Sequence, residues 1–299
     1  MKDFSLFITL FAILTLQIGC KRHHHHGYDD LDAAEFVDSG NFGEKNDNEL
    51  SLDTSALDKT NDDIENSLSV RSIAAPKVSD TKNCISINHK YYSLSYSYIH
   101  CTPIWVSWVL TSDHTDGPIP RSRKFKADPL IKTLYRVDWY EYRGSGYDRG
   151  HMCPAGDNKW NKDAMCECFY MSNICPQDPS LNGGSWKDLE EASREWAIRE
   201  NEIYIVCGPI YTKNKRHEKI GTEHAIDVPE AFYKVILSLR KGHEKAIGFY
   251  YTNSSDSQSM TNTARSVDDI EEITGIDFFS NLDDKTESRL ESSFSLNEW

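Results

Sequence analysis

The stretch Tyr147-Asp148-Arg149-Gly150-His151-Met152 follows a glycine-rich turn at 144–146 and carries three reactive groups in four consecutive positions. Asp148 supplies a carboxylate, Arg149 a guanidinium and His151 an imidazole. An imidazole with an ordinary pKa of ~6.5 can accept a proton near neutral pH. A guanidinium offers forked donors to phosphate oxygens. On its own this tetrad does not separate a catalytic site from a structural His–Asp pair.

A second pattern follows about thirty residues later, where polar side chains recur at every fourth position. The spacing predicts a helix over 182–199, although two glycines weaken its first turn. At 3.6 residues per turn, such positions form one slanting stripe that carries an amide, a carboxylate and a guanidinium. The alternative is an exposed helix face with an ordinary ion pair between Glu190 and Arg194. The stripe consists of Asn182, Trp186, Glu190 and Arg194.

The remaining elements mix strands and helices without strict alternation, which favours an α+β fold with an antiparallel sheet. Alternating or continuous apolar runs predict the strands. A capping-box pattern at Ser266 and a glycine at Gly275 predict a short helix between them. The predicted strands are Tyr91–Tyr98, Ile104–Leu110, Ile203–Cys207, Phe232–Leu239 and Ala246–Tyr251.

Taken together and in order, these segments resemble the DNA/RNA non-specific endonucleases. This family includes secreted bacterial sugar-non-specific nucleases and mitochondrial endonuclease G, and it carries the ββα-metal (His-Me) finger. The resemblance covers roughly residues 85–280, essentially the whole folded part. The segments that carry it are 147–152, Pro154-Ala155, 170–174, Pro176-Gln177, Leu181-Asn182, Trp186, Leu189-Glu190, 207–211, Val228-Pro229, 232–235 and 266–275.

The resemblance implies a role for each matching residue. His151 corresponds to the general base, and Asn182 corresponds to the direct ligand of Mg²⁺ or of another divalent cation such as Mn²⁺. Glu190 corresponds to the carboxylate that reaches the metal through water. Arg149 corresponds to a phosphate-contacting arginine, and Arg194 to a further active-site arginine.

Three further assignments follow from the same resemblance. Asn173 matches an asparagine near the site. Arg123, two positions before an aromatic residue, is the better match for an upstream substrate-binding arginine, with Arg121 as its rival. Asp148 is expected to orient the finger rather than to bind the metal directly.

The function that the resemblance implies is Mg²⁺-dependent hydrolysis of DNA and RNA to 5′-phosphorylated ends. Contacts to the phosphate backbone predict weak sequence preference. The main alternative is a catalytically inactive surface lipoprotein of the same fold that only binds nucleic acid. A lipoprotein that acts through an acidic tail and a phosphodiesterase for small substrates are weaker alternatives. The sequence indicates no protein partner.

The charge distribution permits a polyanionic partner although the 299-residue chain carries a net charge of −14. Residues 27–70 carry −11 and residues 256–299 carry −8, whereas residues 71–255 carry +3. The acidity therefore lies in an N-terminal tail and near the C-terminus, so the middle of the chain can still contact a polyanion. A mean hydropathy of −0.60, with a long apolar run only at the start, excludes a multi-span membrane protein.

The first twenty residues predict a signal peptide, because a short apolar core ends at Gly19-Cys20. A small residue before a cysteine resembles the lipoprotein cleavage site, although Gln17 replaces the usual leucine. We therefore expect export as a cell-envelope lipoprotein, attached to the membrane through a lipid on Cys20. A plain secretory signal, giving a periplasmic or secreted protein, is the alternative. Residues 21–75 predict a flexible acidic linker, and residues 76–299 the endonuclease domain.

Seven cysteines follow Cys20, an odd number for an exported protein. The spacing Cys166-Glu167-Cys168 lacks the second cysteine pair that a zinc site normally has. The sequence instead predicts buried thiols, or one or two disulfides.

Overall fold

A seven-stranded antiparallel sheet organises residues 72–79 and 81–299, the part of the chain described by a computed structural model. The strand order is β12-β11-β10-β7-β4-β3-β2. The sheet strands are β2 (Cys84–Asn88), β3 (Ser93–Ser97), β4 (Thr102–Thr111), β7 (Glu202–Ile210), β10 (Ala231–Ser238), β11 (Lys245–Thr252) and β12 (Ala264–Arg265).

Three two-stranded ribbons flank this sheet. They pair β1 with β13, β5 with β6 and β8 with β9, each antiparallel. Their strands are β1 (Lys77–Val78), β5 (Asp148–His151), β6 (Ile174–Gln177), β8 (Lys219–Ile220), β9 (Ile226–Asp227) and β13 (Ile276–Asp277).

Within the described residues, helices pack around the sheet or connect its strands. They are α1 (Lys162–Glu167), α2 (Pro179–Gly183), α3 (Ser185–Glu200), α4 (Met260–Thr263), α5 (Val267–Thr274) and α6 (Asp284–Glu291).

The central strands are buried on both faces, which explains their continuous apolar sequences. Successive residues of β10 alternate between two cores: Phe232 and Ile236 belong to one, Tyr233 and Val235 to the other. The first core receives α3 through residues such as Leu189, and the second receives α5 and α6. The two helical layers therefore cover opposite faces of the sheet.

The fold-class prediction is confirmed, since the chain is α+β with a mainly antiparallel sheet. All five predicted strands are present, with bounds that shift by a few residues. The helix predicted after Ser266 is also present: its capping box is formed, and Gly275 closes it in the left-handed conformation at φ 70°.

The predicted helix over 182–199 is wrong at its start. The chain forms the short helix α2, breaks at Gly184, and resumes in α3. Gly184 has φ −119° and ψ −111°, which is not helical, and a Cβ there would lie 2.5 Å from the Ser180 carbonyl oxygen. The break therefore needs a glycine.

The thiols agree with one of the two alternatives that the sequence left open. Cys101, Cys153, Cys168, Cys175 and Cys207 are free and buried. The predicted signal peptide, Cys20 and nearly all of the predicted linker lie outside the described residues, so these stay predictions. Within residues 72–79 and 81–299, no helix combines the length and apolar character needed to cross a membrane.

Candidate active site

The ribbon of β5 and β6, followed by α2 and α3, places four of the predicted site residues around one cleft: His151, Asn182, Glu190 and Arg194. In the ribbon, His151 pairs with Ile174 at the end of β5. Helix α2 begins after β6, with Asp178 as its N-cap and Pro179 in its first turn, an arrangement that suits a helix start. The cleft has a volume of about 340 Å³. Its lining residues are Arg121, His151, Pro154, Ala155, Gly156, Lys159, Asn182, Lys187, Glu190 and Arg194.

His151 lies at this cleft with an uncommitted ring nitrogen. Its ring is 6% exposed and packs against Phe125 and Phe169, with centroid distances of 5.3 and 4.6 Å. Burial, together with the charge of Arg121, lowers the pKa of His151 to about 3, and a hydrogen bond to the Arg149 backbone opposes this effect. Nε2 has no hydrogen-bond partner among the described residues. The ring is therefore neutral at pH 7, with Nε2 available as an acceptor.

Asp148 orients Asn182 across the boundary between ribbon and helix. The Asn182 side-chain Nδ2 donates to Asp148 Oδ2 over 2.9 Å. A carboxylate only accepts hydrogen bonds, so the amide must turn its NH₂ group toward Asp148. The carbonyl oxygen of Asn182 is then left for a ligand. This contact agrees with the expectation that Asp148 orients the finger.

Glu190 and Arg194 reach the cleft from one face of α3. Burial raises the pKa of Glu190 to about 7, with Asp157 adding to the shift, while Lys234 and Arg194 oppose it. The Arg194 guanidinium donates to Asp157 Oδ1 over 3.0 Å and does not pair with Glu190. A Cβ on Gly156 would lie 2.6 Å from Arg194 Nη1. The ordinary ion pair that the sequence left open is therefore not formed.

Four cationic side chains line the cleft, although the chain as a whole is acidic. Lys159 pairs with Asp116 at 2.6 Å and Lys187 pairs with Glu191 at 3.4 Å. Arg194 is held as described above. Arg121 forms no ion pair with any acid in the described part of the chain, and its guanidinium lies 5.3 Å from the Phe169 ring centroid. Arg121 is therefore the cleft cation most available to an incoming anion.

Three predicted site residues do not line the cleft. Arg149 donates from Nε to the Trp139 carbonyl oxygen over 3.2 Å, and its guanidinium lies 5.2 Å from the Phe125 centroid. Arg121 and Arg123 are both exposed, but of the two only Arg121 is among the residues that line the cleft. Position therefore favours Arg121, and the substrate-binding role of either arginine stays a prediction.

Asn173 is fully buried and bonded entirely to backbone. Its Nδ2 donates to the carbonyl oxygens of Cys153 and Cys168, and its Oδ1 accepts from the Cys153 amide. These bonds fix the segment that follows His151. Asn173 therefore positions the site rather than contacting a substrate.

The break at Gly184 separates Asn182, on α2, from the other three members of the predicted stripe, which lie on α3. Trp186 has no exposed surface and packs against Phe232 and Tyr251 in the core. Asn182 instead reaches the cleft from α2. The predicted stripe is therefore not continuous, although three of its four members still converge.

Sequence reasoning missed Asp157, Lys159 and Lys187. Asp157 is 5% exposed and also accepts from Trp108 Nε1 over 3.1 Å, so it fixes Arg194 against the sheet. No local pattern marks Asp157 or Lys159. Lys187 lies between two stripe positions, where its charge was a detectable signal.

The donor set suits a hard divalent cation. Asn182 offers an amide oxygen, and Glu190 offers a carboxylate at the same cleft. Mg²⁺ prefers oxygen ligands and keeps several waters, so one direct protein ligand with a water-mediated carboxylate is sufficient. The arrangement combines a neutral base, oxygen donors for a metal and free positive charge, which together suit the hydrolysis of a phosphate ester.

Comparison with known proteins agrees with this chemistry. The family model for DNA/RNA non-specific endonuclease matches residues 71–285. A mitochondrial nuclease of Xenopus laevis, EXOG, is 36% identical over 211 residues, which cover 66% of this chain and 58% of that protein. Nuclease C1 of Cunninghamella echinulata is 33% identical over a stretch that covers 67% of this chain and 84% of that protein. Human mitochondrial endonuclease G is 28% identical, with 64% and 68% covered.

A solved structure shows the same architecture. The crystal structure of the EndoG/EndoGI complex matches with a TM-score of 0.65 and 29% identity, and it covers 73% of this chain and 94% of that one. This chain spans less than three fifths of the length of the EXOG relatives of frog, mouse, human and zebrafish, at 56 to 59%.

Proposed function

This chain belongs to the DNA/RNA non-specific endonuclease family, and we propose that it is a Mg²⁺-dependent endonuclease that hydrolyses the phosphodiester bonds of DNA and RNA. The observation that carries the proposal is that His151, whose Nε2 has no partner among the described residues, lines a cleft that also holds Asn182, Glu190 and cationic side chains.

His151 is the general base in this proposal. Its backbone hydrogen bond leaves Nε2 with a free lone pair, so the ring can take a proton from an attacking water. The lowered pKa of His151 is caused first by burial and then by the charge of Arg121. A phosphate bound at Arg121 offsets that positive charge, so substrate binding makes His151 more basic.

Asp148 and Asn182 position the metal side of the site. Asp148 holds the Asn182 amide so that its carbonyl oxygen would be the direct metal ligand, and Glu190 would contact the metal through water. When bound, the metal supplies Lewis-acid stabilisation of charge on the phosphate and leaving oxygen. The oxygen-only donors favour Mg²⁺ or Mn²⁺ over softer ions.

The cleft cations hold the substrate. Arg121 binds a phosphate oxygen, and Arg194, held by Asp157, stabilises the negative charge that develops during displacement. No base-reading groove is involved in this scheme, which predicts weak sequence preference.

Digestion of plasmid DNA and of a structured RNA tests the proposal. We expect the wild-type protein to cut both substrates with Mg²⁺ and neither with EDTA. His151→Ala should reduce turnover by about 10²- to 10⁴-fold, as expected for the loss of a general base. DNA binding should be retained, since His151 contributes no charge at pH 7.

Two results would contradict the scheme. Cleavage that persists in EDTA would remove the metal from it. Binding without cleavage by the wild-type protein, at every divalent ion tested, would instead support the inactive nucleic-acid-binding alternative.

We also propose that the protein is exported and anchored through a lipid on Cys20, as Gly19-Cys20 after a short apolar run indicates. The acidic linker would then separate the nuclease domain from the membrane. Intact-mass analysis of the protein from membranes tests this: we expect an N-terminal diacylated cysteine, and a soluble protein cut elsewhere would contradict it.

A further inference from the structure

Three carboxylates meet where α5 and α6 pack together, on the sheet face opposite to α3. Asp268 and Glu271 are three residues apart on α5, so they share one face of that helix. Glu291 is the last residue of α6. One carboxylate oxygen from each residue lies within 4.8 Å of the other two. We call this group the α5–α6 acidic cluster.

The α5–α6 acidic cluster differs from an ordinary acidic surface because Glu291 is buried. It is 4% exposed, and its Oε1 is buried without a hydrogen-bond partner. No lysine, arginine or histidine in the described ranges forms an ion pair with Asp268, Glu271 or Glu291. A buried carboxylate oxygen without a partner is costly, and such atoms in folded proteins usually have an ion or a water beside them.

We propose that Asp268, Glu271 and Glu291 bind a Ca²⁺ ion that joins α5 to α6. The site is separate from the cleft and does not depend on the proposed nuclease activity.

The geometry and donor chemistry favour Ca²⁺. All three donors are carboxylate oxygens, which hard cations prefer, and Ca²⁺ accepts six to eight oxygens at ~2.4 Å in flexible geometry. Oxygens bound to one such ion lie at most ~4.8 Å apart, so three oxygens within 4.8 Å of one another can all reach it. Mg²⁺ requires shorter distances and near-ideal octahedral geometry, and it gives up its water reluctantly.

The surroundings support a cation at this place. Glu271 Oε1 accepts from the Phe278 amide over 2.6 Å, so that carboxylate is fixed with its second oxygen free for an ion. Glu291 lies at the C-terminal end of α6, where the helix dipole favours positive charge. Asp268 is exposed, so water can complete the coordination sphere from that side.

One of the three ligands lies beyond the family match. The family model ends at residue 285, so Asp268 and Glu271 lie inside the match and Glu291 lies six residues after it. The proposed ion therefore attaches the end of α6 to the matched region, and its removal should loosen α6 without altering the cleft.

Calcium titration of the full chain, by calorimetry and by thermal unfolding, tests this proposal. We expect one Ca²⁺ site in Asn182→Ala, which lacks the proposed cleft ligand. At a Ca²⁺ concentration about 100 times the dissociation constant, the Tm should rise by roughly 5 to 10 °C. Glu291→Gln should weaken Ca²⁺ binding on the order of tenfold or more, because affinity follows ligand charge. Its Mg²⁺-dependent cleavage should equal that of the wild type.

Two further variants make the result decisive. Asp268→Asn changes an exposed member of the cluster, so it should fold normally and also weaken binding. Glu272→Gln changes an exposed neighbour outside the cluster and should bind Ca²⁺ like the wild type. Unchanged affinity and Tm shift in both Glu291→Gln and Asp268→Asn would overturn the proposal, as would complete loss of Ca²⁺ binding in Asn182→Ala.

Discussion

Replacing Arg121 with alanine tests the electrostatic design of the cleft. Arg121 is the lining cation that forms no ion pair within the described ranges, so no acid competes with a phosphate for it. Arg123, two residues away, is exposed and does not line the cleft. The pair of variants Arg121→Ala and Arg123→Ala therefore separates a phosphate contact from a general loss of one positive charge.

The expected magnitude follows from one lost phosphate contact. A hydrogen bond to a charged group contributes about 1.5–3 kcal/mol, and an exposed guanidinium should fall at the lower end, or about tenfold in Kd. Each phosphate contact adds about 0.9 to the slope of log K against log salt. When the salt concentration rises fourfold, the ratio of the Arg121→Ala Kd to the wild-type Kd should therefore fall by about 3.5-fold. Arg123→Ala should lose less DNA affinity, and its slope of log K against log salt should be nearly unchanged.

The same variant has a second, independent readout. After burial, the charge of Arg121 is the next cause of the lowered pKa of His151. Its removal raises that pKa, so the base becomes protonated at a higher pH. The charge of Arg121 also lowers the pKa of Glu190, so the loss of Arg121 raises the pKa of Glu190 as well. The acid limb of kcat/KM should therefore move to higher pH in Arg121→Ala.

Binding is best measured in the His151→Ala background, with DNA of unrelated sequences across a salt series. The pH profile requires the active protein. A normal affinity and salt slope for Arg121→Ala, together with a loss of both in Arg123→Ala, would refute the assignment made from the cleft and restore the preference drawn from the sequence.

Two further substitutions test how the site is held. Asp148→Asn removes the carboxylate that orients the Asn182 amide, so we expect Mg²⁺ affinity or turnover to fall by about 10- to 100-fold, as for other groups that orient a metal ligand; an unchanged Mg²⁺ titration would contradict this. Gly156→Ala places a Cβ 2.6 Å from Arg194 Nη1, so the arginine must leave its position while the fold is kept. Turnover should fall, and the fall should disappear in an Arg194→Ala background; equal losses in both backgrounds would show that Gly156 acts otherwise.

The sheet was predictable because the apolar sequences of its strands indicate burial. In β10 and β11 both faces are covered, so nearly every residue is apolar, and runs such as Phe232–Leu239 indicate a strand directly. The two-sided burial also explains why the sequence predicted no exposed polar face there.

The break between α2 and α3 was hidden by the regular spacing of four. A stripe at that spacing presupposes a continuous helix, whereas Gly184 leaves the helical region. The Asp178-Pro179 start and the two glycines did mark a complete short helix, which combined N-cap, proline and C-terminal glycine signals detect.

No local sequence pattern predicts where the side chains of Arg121, Arg149 and Asn173 lie, because their positions depend on packing in the folded protein. Whether an arginine reaches the cleft or lies on an aromatic ring is decided by residues distant in sequence, such as Trp139 beside Arg149. Asn173 lies in the right segment, but its three bonds to backbone are visible only once the chain is folded.

Lys234 shows how a residue in an apparent core strand can serve the site. It is 1% exposed on β10, and its Nζ lies 4.6 Å from the Trp186 ring centroid. Burial raises the pKa of both Glu190 and Asp157, and the charge of Lys234 opposes that rise at each. The charge of Lys234 therefore favours the ionised form of Glu190, which lines the cleft. At Asp157 the charge and hydrogen bond of Arg194 favour the ionised form first, and Lys234 adds to that effect. A buried lysine on the sheet thus offsets part of the cost of desolvating the two carboxylates.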